Sequence, residues 1–148
     1  MYTTIQFLHS YWAYLVLLII VLATINALAG FFSKKEYSHK DFRISLFALI
    51  VTHIQFLIGL VLYFVSPLGL QNISNVGMGE VMKNSTFRLY AVEHPMVMLL
   101  TVIFITIGYS KHKKQLLSNG KFKTLAIFYT IALILMLSRI PWNQWFDF

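Results

Sequence analysis

The sequence predicts an all-α, integral membrane four-helix bundle with up-down-up-down topology. Three observations predict it. Apolar runs of roughly 20 residues recur four times, and about 20 are needed to cross a bilayer as a helix. Only 11% of the 148 residues are charged, where a soluble domain carries nearer 25%. Nine of the twelve Lys and Arg residues fall in two short segments between apolar runs, the asymmetry that marks cytoplasmic loops. Almost nothing is left over for a soluble unit, so residues 1–148 form one transmembrane domain.

Helix one is expected over about 8–32. Tyr11 and Trp12 stand near its start, as interface residues do. Asn26 is its one strongly polar deep residue and is expected to face a neighbouring helix. Ala13, Ala23, Ala27 and Gly30 permit close packing. A signal peptide has a basic region before its apolar run, whereas the first positive charge here, Lys34, follows it. The segment is therefore read as a permanent helix.

The first basic loop, SKKEYSHKDFR, leads to helix two, about 42–66, which Pro67 stops. Its interior polar residues are Thr52, His53 and Gln55. Gly59, seven residues after Thr52, lies on nearly the same face and admits a neighbour or a flat ligand. The stretch from Pro67 to Thr86 is rich in Gly, Asn and Ser, which form turns, with a short interfacial helix expected over Gly79–Asn84. Helix three, about 87–109, carries Glu93-His94-Pro95 inside one end. The second basic loop, SKHKKQLLSNGKFK, has five lysines and no acid. Helix four, about 122–140, ends at Ser138-Arg139, and Pro141, Trp142 and Trp145 follow. The positive-inside rule places both basic loops in the cytoplasm and both termini outside, in the periplasm of a bacterial inner membrane.

Several function classes drop out. The chain has no cysteine, which excludes disulfides, thiolate metal sites and covalent haem attachment. The net charge of +7 lies in loops, not on a folded basic surface, so nucleic acid is not a partner. No nucleophile–base constellation or nucleotide-binding motif is present. The chain reads as an electron-transfer or accessory protein before it reads as a stand-alone enzyme.

The histidines carry the remaining chemistry. Ionisable side chains inside the bilayer are costly and mark function. His53 lies about 15 Å from the cytoplasmic end of helix two, and His94 about 10 Å from the outer end of helix three, at 1.5 Å per residue. Their levels then differ by about 5–8 Å, within the reach of ordinary tilt. Two imidazoles on facing helices hold one haem iron from opposite sides, so His53 and His94 are the expected metal ligands. The bland reading is a pair of buried histidines hydrogen-bonded to neighbouring helices. The place of His9 depends on where helix one begins. A start at Ser10 leaves it at the interface. A start near Ile5 puts it inside, near the level of His94, where it replaces His53 as partner or serves a second site. Arg139 and Arg88 approach the outer face and suit haem carboxylates, or else Arg139 pairs with Glu93. His39 and His112 are expected to be solvated loop residues.

Four short helices with embedded histidines resemble the small b-type cytochromes of bacterial membranes. The stretches THIQFLIGLVLYF and EHPMVMLLTVIFITIGYSKHKK are similar to those of cytochrome B-like proteins of the Bacteroidetes type. The resemblance covers nearly the whole chain. It implies haem b, bis-histidine ligation by His53 and His94 with His9 a further position, and electron transfer involving quinone or a larger membrane complex. Two-haem members often set two histidines on one helix. Here each helix has at most one embedded histidine, so one haem near the outer face is expected. Two alternatives stand beside this. His94 and Met98, four apart on one helix face with Met96 close by, suit Cu(I) and resemble copper-resistance membrane proteins of the D type. A non-catalytic accessory subunit would use its histidines structurally or hold haem as a staple.

Overall fold

The computed structural model describes residues 1–145, and these are helical almost throughout, with no strand. The long helices are α1 (Tyr2–Phe32) and α2 (His39–Val65). Three short ones follow: α3 (Leu70–Val76), α4 (Met78–Lys83) and α5 (Ser85–Arg88). A π-helical turn, Leu89–Glu93, leads into α6 (His94–Lys114). Then come α7 (Ser118–Arg139) and the single turn α8 (Trp142–Trp145). Four segments are long and apolar enough to cross a membrane, in the sequence intervals expected. Many of their large apolar side chains point outward, Leu18, Leu57 and Ile134 among them, as lipid-facing residues do.

The helices pack in a ring: α1 against α2 and α7, and α6 against α2 and α7. The centre is small and close-packed, built on Val16, Ile20, Ala23, Ala27, Ala48, Ile105 and Ala132. Small residues matter here because lipid is as apolar as the core, so helices gain from close contact more than from burial. A methyl at Gly30 would run into the Phe122 ring, and one at Gly108 into Cβ of Phe128. The α1–α2 pairing is fixed by polar links. Asn26 Nδ2 donates to Asp41 Oδ1 at 3.0 Å, Trp12 Nε1 to the Val51 carbonyl at 3.0 Å, and Gln55 Nε2 to the His9 carbonyl at 2.9 Å.

Two helix ends extend further than the sequence suggested. The first helix begins at Tyr2, because YTTIQFLHS contains no breaker. The third runs on through Lys111-His112-Lys113-Lys114, since cations favour a helix C-terminus. The expectation that His112 is a solvated loop residue is therefore corrected. It is fully buried. Its Nδ1–H donates to the Tyr109 carbonyl, and its Nε2 accepts from the Tyr37 hydroxyl at 2.8 Å. Burial pushes the Tyr37 phenol up to about 12, so it remains a donor at neutral pH. With Tyr37 N–H donating to Ser118 Oγ at 2.9 Å, this contact joins the two basic loops. His39 is exposed, as expected, but it opens α2 instead of lying in the loop.

Pro95 leaves a mark as well. In an α-helix the N–H of residue 95 would bond the carbonyl of Ala91, and proline has none. The turn before it widens to π, and the Tyr63 hydroxyl donates to Ala91 O at 2.9 Å. A neighbouring helix thus supplies the missing donor.

Candidate functional site

At the end of the bundle that holds α8, the helices part around a cavity of about 490 Å³, within the size range of small-ligand and cofactor pockets. Its wall is mostly apolar. His9, Gln55, Gly59, His94, Met96 and Met98 are among its lining residues.

His94 opens α6 immediately after the π-turn. Its Nδ1–H donates to the Arg139 carbonyl at 2.8 Å, which fixes the neutral tautomer and leaves the Nε2 lone pair free. The His9 ring comes from α1 and stands perpendicular to it, with centroids 6.2 Å apart and an interplanar angle of 85°. Gly59 makes room for His9. A Cβ there would lie 3.0 Å from His9 Cε1 and 3.5 Å from Nδ1. Among the described residues, His9 Nδ1 and Gln55 Oε1 are buried polar atoms of the wall without a hydrogen-bond partner. They belong to residues already linked, since the Gln55 amide holds the His9 carbonyl.

The structure brings His94 together with His9 and not with His53. His53 Nδ1–H donates to Leu49 O at 2.8 Å, and its Nε2 lies 3.3 Å from the Thr106 hydroxyl. Thr106 is twelve residues along α6 from His94, about 18 Å at 1.5 Å per residue. No single metal spans that interval, and His53 does not line the cavity. Of the two partners expected for His94, His53 and His9, the structure sets His9 beside it. The reason is the start of α1 at Tyr2, which sets His9 inside the helix.

The arginines are engaged with a carboxylate. Arg88 Nε is 2.8 Å from Glu93 Oε1, and Arg139 Nε is 2.9 Å from Glu93 Oε2. This cluster ties α5 and the end of α7 to the turn just before His94. It gives Arg139 two links to the site, through its guanidinium and through its carbonyl. Of the methionines, Met96 and Met98 both face the cavity, Met96 remaining largely exposed. Among the described residues no group of three or more His, Asp or Glu side chains is placed to hold a metal ion.

Gln55 and Tyr63, neither of them expected as site residues, also line the cavity. Both had a signal. Gln55, Gly59 and Tyr63 recur at four-residue spacing, so they share one face of α2, and that face lines the cavity.

Comparison of the chain with protein-family models, with curated proteins and with solved structures finds no match.

Proposed function

We propose that this chain is a b-type cytochrome-like electron carrier of the bacterial inner membrane, in which His9 and His94 hold one haem b. The observation that carries the reading is the perpendicular imidazole pair, 6.2 Å between centroids, on the wall of an apolar cavity. Two imidazoles bonded at about 2 Å to one metal from opposite sides have centroids roughly 6 Å apart. A bare ion would want more protein ligands than two. An iron already held by a macrocycle would need only two donors from the protein, and His9 and His94 would supply them.

Each residue has a stated part. His94 presents Nε2 because the Arg139 carbonyl holds its other nitrogen. Ligation by His9 through Nε2 would leave Nδ1, a buried atom without a partner, to carry the proton and donate to a second group. Gly59 keeps the His9 ring close to α2. Arg88 and Arg139 meet at Glu93, in the turn just before His94, and are the cations proposed for a carboxylate of the cofactor. Haem b supplies a one-electron couple, and the cavity's apolar wall excludes water from it.

The finer topology belongs to the same proposal. The contacts Asn26–Asp41, Trp12–Val51 and His9–Gln55 run in opposite senses along α1 and α2, which supports an up-down-up-down arrangement. The basic loops then lie in the cytoplasm and the histidine pair near the periplasmic face. Quinone or a larger membrane complex is the proposed redox partner.

The test is a pyridine haemochrome assay with metal analysis on protein purified in mild detergent. Close to one haem b per chain is expected. Copper at that stoichiometry, without haem, would replace this reading by Cu(I) handling, for which Met98 on the same wall gives the third ligand.

A further inference from the structure

Far from the histidine pair, the end of α6 and the start of α7 enclose a second groove, of about 580 Å³. Lys111, Lys114 and Lys123 line it together with Thr124, Ile127 and Phe128. We propose that this groove binds the phosphate headgroup of an anionic phospholipid.

Three observations carry it. First, the charge is unbalanced. No acidic residue occurs between Glu93 and Asp147, and none of the three ammonium groups takes part in an ion pair among the described residues, where Lys35 is held by Asp41 and Lys83 by Glu80. Like charges that converge without a counter-ion repel one another, so the groove favours an anion.

Second, the lining changes polarity along a single direction. Lys123 and Thr124 are each followed four residues later by an apolar residue, Ile127 and Phe128. Residues four apart share a helix face, so the change from cation and hydroxyl to hydrocarbon takes place within one turn, about 6 Å. A phospholipid has the same order of phosphate, glycerol and acyl chain. A free phosphate has no use for the apolar half. Ile127 is 47% exposed, on the outward side of the bundle.

Third, the groove lies at the polar end of two apolar spans, α6 and α7. α7 is predominantly apolar from Leu125 to Leu137, and Lys123 and Lys121 stand at its first, polar end. Lys111 Nζ lies 5.7 Å from the centroid of the Phe128 ring. Its stem therefore runs along apolar surface. Basic pockets between membrane helices bind anionic headgroups by this combination. The proposal does not depend on haem.

Native mass spectrometry of the detergent-purified protein, with phosphatidylglycerol and phosphatidylcholine offered in equal amounts, tests it. The wild type is expected to retain the anionic lipid preferentially. The triple variant K111Q/K114Q/K123Q should weaken that retention by about 10–100-fold. The variant K34Q/K40Q/R43Q removes the same charge from the other basic loop and should keep it. The single change Lys114→Gln, at an exposed position, gives a milder reading should the triple variant not fold, and should also lower retention. Equal loss in the two triple variants would reduce the effect to overall charge and overturn the site. So would equal retention of phosphatidylcholine, or complete displacement of the lipid by millimolar inorganic phosphate.

Discussion

Replacing Gly59 by alanine separates the packing of the bundle from the chemistry of its cavity. The new Cβ would lie 3.0 Å from His9 Cε1, 3.5 Å from Nδ1 and 3.9 Å from Nε2. Carbon atoms are at rest about 3.5–4.0 Å apart, so the ring must withdraw by about 0.5 Å. Two energies then oppose each other. Alanine favours the helix by about 1 kcal/mol over glycine, and overpacking costs about 1–3 kcal/mol. The net change in stability is expected to be small, between about 0 and 2 kcal/mol. Ligand bonds tolerate only about 0.2 Å, so the same shift matters more to a metal held by His9. Loss of such support commonly weakens a metal site about 10–100-fold. Thermal unfolding in detergent measures the first effect, and titration with haem the second. Gly59→Val should enlarge both. Unchanged haem affinity in Gly59→Ala, with the His9 ring demonstrably displaced, would refute the assignment of His9 as a ligand.

Other sites give further outcomes. Gly108→Ala should destabilise the protein by about 1–3 kcal/mol, because the added methyl meets Cβ of Phe128, an atom that moves only if α6 and α7 separate. A shift of its unfolding midpoint upward would contradict that packing. Asp41 is buried and accepts from Asn26 Nδ2, Lys35 Nζ and both the N–H and hydroxyl of Ser38. Asp41→Ala should cost about 1–3 kcal/mol through the donors left unpaired. Lys35→Met, which removes a half-exposed ammonium, should cost less than about 1 kcal/mol. Unfolding midpoints in detergent read the pair, and a larger loss in Lys35→Met than in Asp41→Ala would reverse the order derived from burial.

Hydropathy placed the four long helices because length and apolarity are local properties. The partner of Asn26 follows from the same logic, since a lone amide deep in an apolar helix needs an acceptor on a neighbour, and Asp41 supplies it. What the sequence concealed was axial level. Each residue of error at a helix end moves a side chain by 1.5 Å. The expected start of helix one near residue 8 left His9 at the margin, whereas a start at Tyr2 carries it into the cavity. The same uncertainty made His53 look level with His94, when its neighbour on α6 is Thr106. His112 was obscured by composition, because a run of lysines reads as a loop and also makes a good helix C-terminus. Gly59 was visible as a place of close approach. That the approaching group is His9 depends on the register of α1 against α2, which no single segment encodes.

The most direct test of the account is the dithionite-reduced minus oxidised spectrum of the purified wild type beside His9→Ala, His94→Ala and His53→Ala. A b-type signal near one haem per chain is expected in the wild type, with its loss in the first two variants and its retention in the third. No signal in the wild type, from a host supplied with haem precursor, would contradict the cytochrome reading. A signal that survives His9→Ala and disappears in His53→Ala would contradict the ligand pair.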